Sequence, residues 1–165
     1  MREFAISFDN LTVTAMSLIF VQPTTAPSTN LEFLRYWMGQ SANATSAQTR
    51  IEITTQLSSW PTAMTSATVN KLKPQDAASS ITGASSPALG QAGIVLQASQ
   101  VQGAGTATVV WNDAFNVLNG WLHVPTPPET RTLPASYAQG QSMFMPSISG
   151  ITTTGWAAGL VFREI

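Results

Sequence analysis

Few side chains in this sequence can act as an acid, a base or a metal ligand. The chain of 165 residues has one histidine, His123, no cysteine, and eight Asp and Glu residues. A serine nucleophile needs a base beside it, but the Ser-rich residues 83–90 (GASSPALG) lack the strand–turn–helix setting of a G-x-S-x-G turn. The carboxylates have neither EF-hand nor di-metal spacing, and nothing favours a carboxylate pair for glycoside hydrolysis. We therefore expect no enzymatic activity, no metal site and no cofactor.

Two clusters of aromatic residues suggest a different chemistry, the stacking of rings. One consists of Phe33, Tyr36 and Trp37, and the other consists of Trp111, Phe115 and Trp121. Exposed together, such rings bind sugars in lectin-like sandwiches; buried, they form a core. The chain is otherwise poor in large side chains, which favours burial. The predicted core residues are Trp111, Phe115, Trp121, Trp156 and Phe162.

The elements that position these rings are predicted to be strands. Residues 106–111 form a β-branched run that ends in an aromatic residue, NDAFN at 112–116 interrupts it, and residues 117–124 resume as a second apolar run. This pattern predicts a strand, a tight corner and a strand. We expect this central hairpin, with Trp111 and Trp121 on its two strands, to lie in the middle of an all-β core.

Further strands follow from alternating apolar and polar residues. Ile51, Ile53, Thr55 and Leu57 share one face of the best half-buried strand. The other candidate strands cover residues 4–8, 11–21, 93–98, 129–133, 142–145 and 155–165, with a hairpin corner at Asp9-Asn10. We predict a single domain, residues 1–165, with an all-β fold: a β-sandwich or jelly-roll-like barrel with one short helix.

The short helix is predicted from residue 31 to the glycine at position 39. Leu31, Leu34, Trp37 and Met38 have helical spacing, and Gly39 supplies a stop. The aromatic residues of this segment would also suit a strand.

Residues 62–86 form a long segment that has few large apolar side chains and contains both lysines of the chain. Structureless segments of this length are uncommon in a compact domain unless they have a function. Two interpretations stay open: a strand near residues 67–72 with an ordinary connection, or an arm that lies across a neighbouring subunit. Lys71, Lys73 and, just before the segment, Trp60 are the candidate interface residues.

The composition favours a protein that works inside an assembly. Charged residues make up 9% of the chain and the net charge is −1, so little electrostatic repulsion keeps copies apart. We expect a homo-oligomer, a dimer or trimer, held by neutral contacts. The seven Lys and Arg residues form no basic stripe, which argues against nucleic acid as a partner. No apolar run is long enough to span a membrane, and acidic Glu3 and Asp9 do not fit a signal peptide.

Three stretches, residues 40–56 (QSANATSAQTRIEITTQ), 113–130 (DAFNVLNGWLHVPTPPET) and 154–165 (TGWAAGLVFREI), resemble a group of small proteins encoded by tailed bacteriophages. The resemblance implies a virion component located on the capsid surface. It favours a head decoration (cement) protein whose partners are the major capsid protein and itself. Two alternatives stay open: a sugar-binding tail or fibre adsorption module, and a jelly-roll coat protein of a small virus, although no basic arm is visible.

Overall fold

The structure, a computed structural model, describes residues 1–12, 16–23, 29–42, 45–56, 64–85, 90–94, 107–135, 140–146 and 151–165. Their regular structure is almost entirely β-strand, in two antiparallel sheets that pack against each other. The chain is therefore an all-β sandwich, as predicted. In these residues the helical structure is one 3-10 turn, Pro127–Glu129, and no helix is long and apolar enough to cross a bilayer.

Thirteen strands are described. In chain order they are β1 (Arg2–Leu11), β2 (Met16–Val21), β3 (Leu31–Gln40), β4 (Gln48–Gln56), β5 (Thr65–Ser66), β6 (Val69–Lys71), β7 (Thr82–Gly83), β8 (Gln91–Ile94), β9 (Ala107–Asn116), β10 (Trp121–His123), β11 (Arg131–Leu133), β12 (Gly140–Met145) and β13 (Trp156–Glu164).

Sheet A has the strand order β10-β3-β13-β1-β6, and β11 also pairs with β3. The last strand, β13, lies between β3 and β1 and pairs with both along its length. Sheet B has the order β5-β8-β2-β12-β4-β9, and β7 also pairs with β8. The first four strands thus alternate between sheets, and the early hairpin expected between residues 4–8 and 11–21 is wrong, because β1 and β2 belong to different sheets.

One cluster of buried side chains from both sheets forms the core. Four of the five predicted core residues belong to it, namely Phe115, Trp121, Trp156 and Phe162. Trp111 is 39% exposed, so its assignment to the core is wrong. The physical reason is its place on the edge strand β9, where the His123 ring contacts one side of the indole and the rest lines an open space between the two sheets.

The predicted helix at residue 31 is wrong, because these residues form strand β3. Its register with β13 pairs Val161 with Arg35 and Phe162 with Phe33, so Leu34 is the extra residue of a β-bulge. The bulge shifts the inward face by one residue. Side chains 31 and 33 are buried before it and side chains 36 and 38 after it. A bulged strand therefore produces a spacing of apolar residues that resembles a helix.

Both predicted corners also lie inside strands. At Asp9-Asn10 the pairing of β1 with β13 is irregular, and Asn10 has φ of 53°. This left-handed conformation is one that asparagine tolerates at a bulge. The NDAFN segment continues β9 to Asn116, and the chain turns afterwards, where Gly120 has φ of 68°. Because β9 and β10 lie in different sheets, the central hairpin is instead a connection between the two layers.

The prediction for β4 is partly confirmed. Ile51, Ile53 and Thr55 are buried as expected, but Glu52 and Thr54 on the opposite face are buried as well. The Thr54 hydroxyl forms a hydrogen bond of 3.2 Å with Ser142 on β12, and Arg50 pairs with the Glu52 carboxylate at 2.9 Å. Neighbouring side chains thus shield the face that was expected to meet water. Leu57 lies outside the described residues.

Of the long segment at 62–86, residues 64–85 are described. They contain β6, which confirms the expected strand near residues 67–72 and pairs with β1 of the same chain. Lys71 Nζ donates to the carbonyls of Pro74 and Asp76, at 3.1 and 2.9 Å, so it closes a local turn. Lys73 is exposed. Trp60, the third candidate interface residue, lies outside the described residues, and the arm across a neighbouring subunit stays a prediction.

Candidate functional site

A cleft of about 530 Å³ opens between the edges of the two sheets, at the end where β9 faces β10 and β11. Sheet A contributes Tyr36, His123 and Arg131 to its wall, and sheet B contributes Ile53, Trp111 and Gln141. The 3-10 turn at residues 127–129 borders it. Pockets of about 300–1,000 Å³ are the usual size for small-molecule sites. We refer to this space as the cleft.

Aromatic rings from both sheets meet at the cleft. The His123 imidazole stacks on the Trp111 indole with centroids 4.4 Å apart, and lies 5.9 Å from Tyr36 and 5.9 Å from Trp121. His123 and Tyr36 are paired residues of β10 and β3. The structure thus brings Tyr36 of the first predicted aromatic cluster, and Trp111 and Trp121 of the second, around the His123 ring.

A β-bulge sets the direction of the Trp111 side chain. Trp111 pairs with Ile53 and Val109 pairs with Thr54, so Val110 is an extra residue in β9. Bulges near binding sites re-aim side chains. Here Val110 and Trp111 both line the cleft. A regular strand would place these neighbours on opposite faces.

Gln141 is the most unusual polar residue of the cleft. Its side chain is fully buried, and neither the amide oxygen nor the amide nitrogen has a hydrogen-bond partner in the part of the chain that the structure describes. Arg131 nearby is oriented by a hydrogen bond of 2.6 Å from Nη2 to the Thr55 hydroxyl, while its buried Nε has no partner in these described segments. Buried polar atoms are normally satisfied, because each unpaired one costs about 1–3 kcal/mol. The cleft therefore contains three polar atoms that lack a partner among the described residues.

Glu129 places a carboxylate at the rim. Its Oε2 accepts hydrogen bonds from the Thr126 backbone nitrogen (3.1 Å) and hydroxyl (2.6 Å), which caps the 3-10 turn. These hydrogen bonds lower the pKa of the Glu129 carboxyl. Burial lowers the pKa of His123, and the negative charges of Glu129 and Asp113 oppose that shift. With a neutral histidine, Arg131 and Glu129 are the charged residues that line the cleft, and their charges cancel.

A second feature of this end of the sandwich is an exposed group of apolar side chains. Val109 on β9, Leu118 in the following turn, Leu122 on β10 and Val124 after it are 44%, 51%, 64% and 58% exposed. We call these four residues the apolar ridge. They occur on the two edge strands, one in each sheet, and on the connection that joins these strands.

A buried carboxylate lies away from the cleft, at Glu164 near the end of β13. Its Oε1 accepts hydrogen bonds from the Ser79 hydroxyl (2.6 Å), the Ser80 backbone nitrogen (2.7 Å) and the Ser80 hydroxyl (2.8 Å). Its Oε2 forms an ion pair of 2.6 Å with Arg2 on β1. This cluster fastens the segment between β6 and β7 to the two strands of sheet A that carry Arg2 and Glu164.

The described residues contain no group of three His, Asp or Glu side chains placed to hold a metal ion. In the same part of the chain the His123 ring has aromatic neighbours, and no serine or carboxylate forms a hydrogen bond with it. A nucleophile–base pair of the serine type is thus not present among these residues.

Tyr36 and Trp111 were predicted as members of the two aromatic clusters, whereas Arg131, Gln141 and Glu129 were not predicted as site residues. A signal for Glu129 exists, because Thr126 and Glu129 have the T-x-x-E spacing of a capping box. No local signal distinguishes Gln141 from any other polar residue in a strand. Comparison with protein-family models, with curated proteins and with solved structures gave no significant match to this chain.

Proposed function

We propose that this chain is a non-enzymatic virion structural protein, a head decoration protein that binds the outside of an assembled shell and self-associates. The observation that carries the proposal is the exposed edge strand β9 with the apolar ridge beside it. The resemblance of residues 40–56, 113–130 and 154–165 to phage-encoded proteins gives the biological setting.

Strand β9 is an edge strand that is available to pair with a strand of another chain. Its ten residues, Ala107–Asn116, pair with β4 on one side and with no described strand on the other. Edge strands of soluble monomers usually contain lysine or proline, which prevent the strand from pairing with the edge strand of another molecule. This strand contains neither, and its one charged residue is Asp113. Its carboxylate accepts a hydrogen bond of 3.0 Å from the Trp121 indole, so it is turned towards its own chain.

The apolar ridge indicates how the contact is stabilised. None of its four residues is charged, and charged residues make up 9% of the whole chain. Burial of such side chains stabilises a complex by about 25 cal/mol per Å² of apolar surface removed from water. Contacts of this kind are weakly screened by salt, in contrast to exposed ion pairs. We therefore expect attachment to the shell, and self-association, to change little between low and high salt.

The test uses phage particles that lack this chain, to which purified protein is added back. Parent protein should bind and raise resistance of the shell to heat, because a ligand that binds the assembled state alone stabilises it. The variant Leu122→Asp places a charge on the ridge and should lose binding. Leu72→Asp is the matched control, since Leu72 is 45% exposed and follows β6 at the other edge of sheet A.

The particles lacking the chain decide between locations. Shells that assemble normally but rupture more readily support a decoration protein. Intact shells that fail to adsorb to host cells indicate a tail or fibre adsorption module, which is the second candidate. The cleft favours this candidate because it has the size and the stacked rings of a ligand site. Failure to assemble any shell would point to a coat protein. Equal binding of Leu122→Asp and Leu72→Asp would contradict docking through the ridge.

A further inference from the structure

We propose that the cleft binds a neutral, polyhydroxylated ring, such as a pyranose unit of a glycan, with Trp111 as the stacking platform and with Gln141 and Arg131 as hydrogen-bonding residues. This site is separate from the apolar ridge, so the inference does not depend on decoration as the function. It is carried by buried polar atoms that have no partner in the described structure and that line a space large enough for a ligand.

The Gln141 amide determines which hydrogen-bonding groups the ligand must have. Its oxygen needs a donor and its nitrogen needs an acceptor, and both atoms are buried without either. Elsewhere on the same strand, the hydroxyl of the next residue, Ser142, forms a hydrogen bond with Thr54 at 3.2 Å. A hydroxyl group donates and accepts at once. A ligand with adjacent hydroxyl groups would therefore satisfy both amide atoms, which an apolar ligand or a simple ion would not.

Arg131 adds a donor in a fixed position. Because Nη2 is held by Thr55 at 2.6 Å, the guanidinium plane is oriented before any ligand arrives, and its unpartnered Nε–H remains to donate. The nearby charges argue against an anionic ligand. Glu129 balances Arg131 at the wall of the cleft, and the lowered pKa of His123 keeps the imidazole neutral at pH 7. A neutral acceptor such as a ring or hydroxyl oxygen fits this environment.

Trp111 supplies the apolar contact. The imidazole of His123 lies against it, yet 39% of the residue is exposed at the mouth of the cleft. Aromatic side chains bind sugars because the C–H face of the pyranose ring is apolar, whereas the hydroxyl groups around the edge of the pyranose ring are polar. The cleft is lined by residues of both kinds: Trp111 pairs with Ile53 across β9 and β4, whereas Gln141 pairs with Thr55, whose hydroxyl holds Arg131. Its volume of about 530 Å³ leaves room for a ring with its hydroxyl groups.

The experiment measures binding of methyl pyranosides of glucose, galactose, mannose and N-acetylglucosamine by saturation-transfer NMR and calorimetry. Each probe is used at about 10 mM, which nearly saturates a site whose Kd is about 1 mM. We expect at least one probe to bind the parent. Gln141→Leu should weaken that probe about tenfold or more, the loss expected for one or two hydrogen bonds. Trp111→Ala should weaken it by a similar factor.

Gln141→Leu also separates a binding role from a structural one. Since the amide has no partner among the residues that the structure describes, its replacement by an apolar side chain of similar length should leave the unfolding midpoint unchanged or raise it. Leu122→Asp is the control on the ridge and should bind the probe as the parent does. The proposal is overturned if none of the four pyranosides binds the parent, or if Gln141→Leu binds as tightly as the parent. A lower unfolding midpoint for Gln141→Leu would also contradict it.

Discussion

The Glu164 cluster gives a prediction whose size can be worked out from contacts. In Glu164→Ala, three donors on Ser79 and Ser80 lose their acceptor and Arg2 loses its ion pair. Hydrogen bonds to a charged group contribute about 1.5–3 kcal/mol each, but they are not additive, and removal of one partner of a buried pair costs about 3–5 kcal/mol. Arg2 is 31% exposed and regains water, which places the expected loss at the low end, roughly 3 kcal/mol.

Two measurements check this value. For a chain of this length, about 3 kcal/mol lowers the midpoint of thermal unfolding by roughly 6–12 °C. The loss of the cluster should also release residues 72–80, since Ser79 and Ser80 are the contacts that fasten this segment to β13. Trypsin should then cut after Lys71 more rapidly in the variant than in the parent, and mass spectrometry of the fragments locates the cut.

Glu32→Ala is the matched control. Glu32 lies on β3 and pairs with Arg163 at 3.0 Å, but its side chain is 22% exposed and Arg163 keeps a second partner, Glu3, at 2.9 Å. Loss of such a pair costs less than about 1 kcal/mol. If Glu164→Ala unfolds at the same temperature as Glu32→Ala and shows no faster cleavage after Lys71, the cluster does not hold the segment and the reasoning fails.

Two further predictions concern the rings at the cleft end. Trp121→Ala removes a buried indole and its hydrogen bond to Asp113, and should lower the free energy of unfolding by about 3–5 kcal/mol. Trp111→Ala removes a partly exposed indole and should lower it by less than about 2 kcal/mol. Chemical denaturation measures both values, and equal losses would refute the assigned burial. Because burial lowers the pKa of His123 from 6.5, the unfolded chain takes up the proton more readily, so stability should fall as the pH drops below about 6.5. In His123→Gln this fall should disappear between about pH 6.5 and 5, and an unchanged pH profile would show that another group causes it.

Much of the fold could be predicted from the alternation of apolar residues. β13 was predicted with its inward face, because Trp156, Ala158, Leu160 and Phe162 recur at every second position, and all four are buried. The errors occur where a bulge breaks this period. The extra residue at Leu34 gave β3 a helical spacing, and the left-handed Asn10 inside β1 looked like a turn.

The cleft could be predicted less well, because it depends on pairing across the two layers. Nothing local in the sequence indicates that the turn after Asn116 carries the chain from sheet B to sheet A. That crossing brings His123 against Trp111. It also decides that Trp121 is buried while Trp111 lies on an edge, although both are tryptophans in apolar runs. Gln141 is a candidate binding residue only because its amide is buried, and the sequence does not reveal that burial.

The position of β13 between β1 and β3 has a consequence for biosynthesis. When Gln40 has left the ribosome, about 120 residues must still be made before β13 is complete, which takes roughly 6–25 s at about 5–20 residues per second. During that time β1 and β3, which will flank β13, have no strand between them. If β1 and β3 paired with each other, that pairing would have to break before β13 could insert. Sheet A therefore closes as a late event, after translation has passed Glu164. Contacts of such high sequence separation also slow folding in all-β proteins. The nascent chain is thus most exposed to mispairing before its last strand emerges.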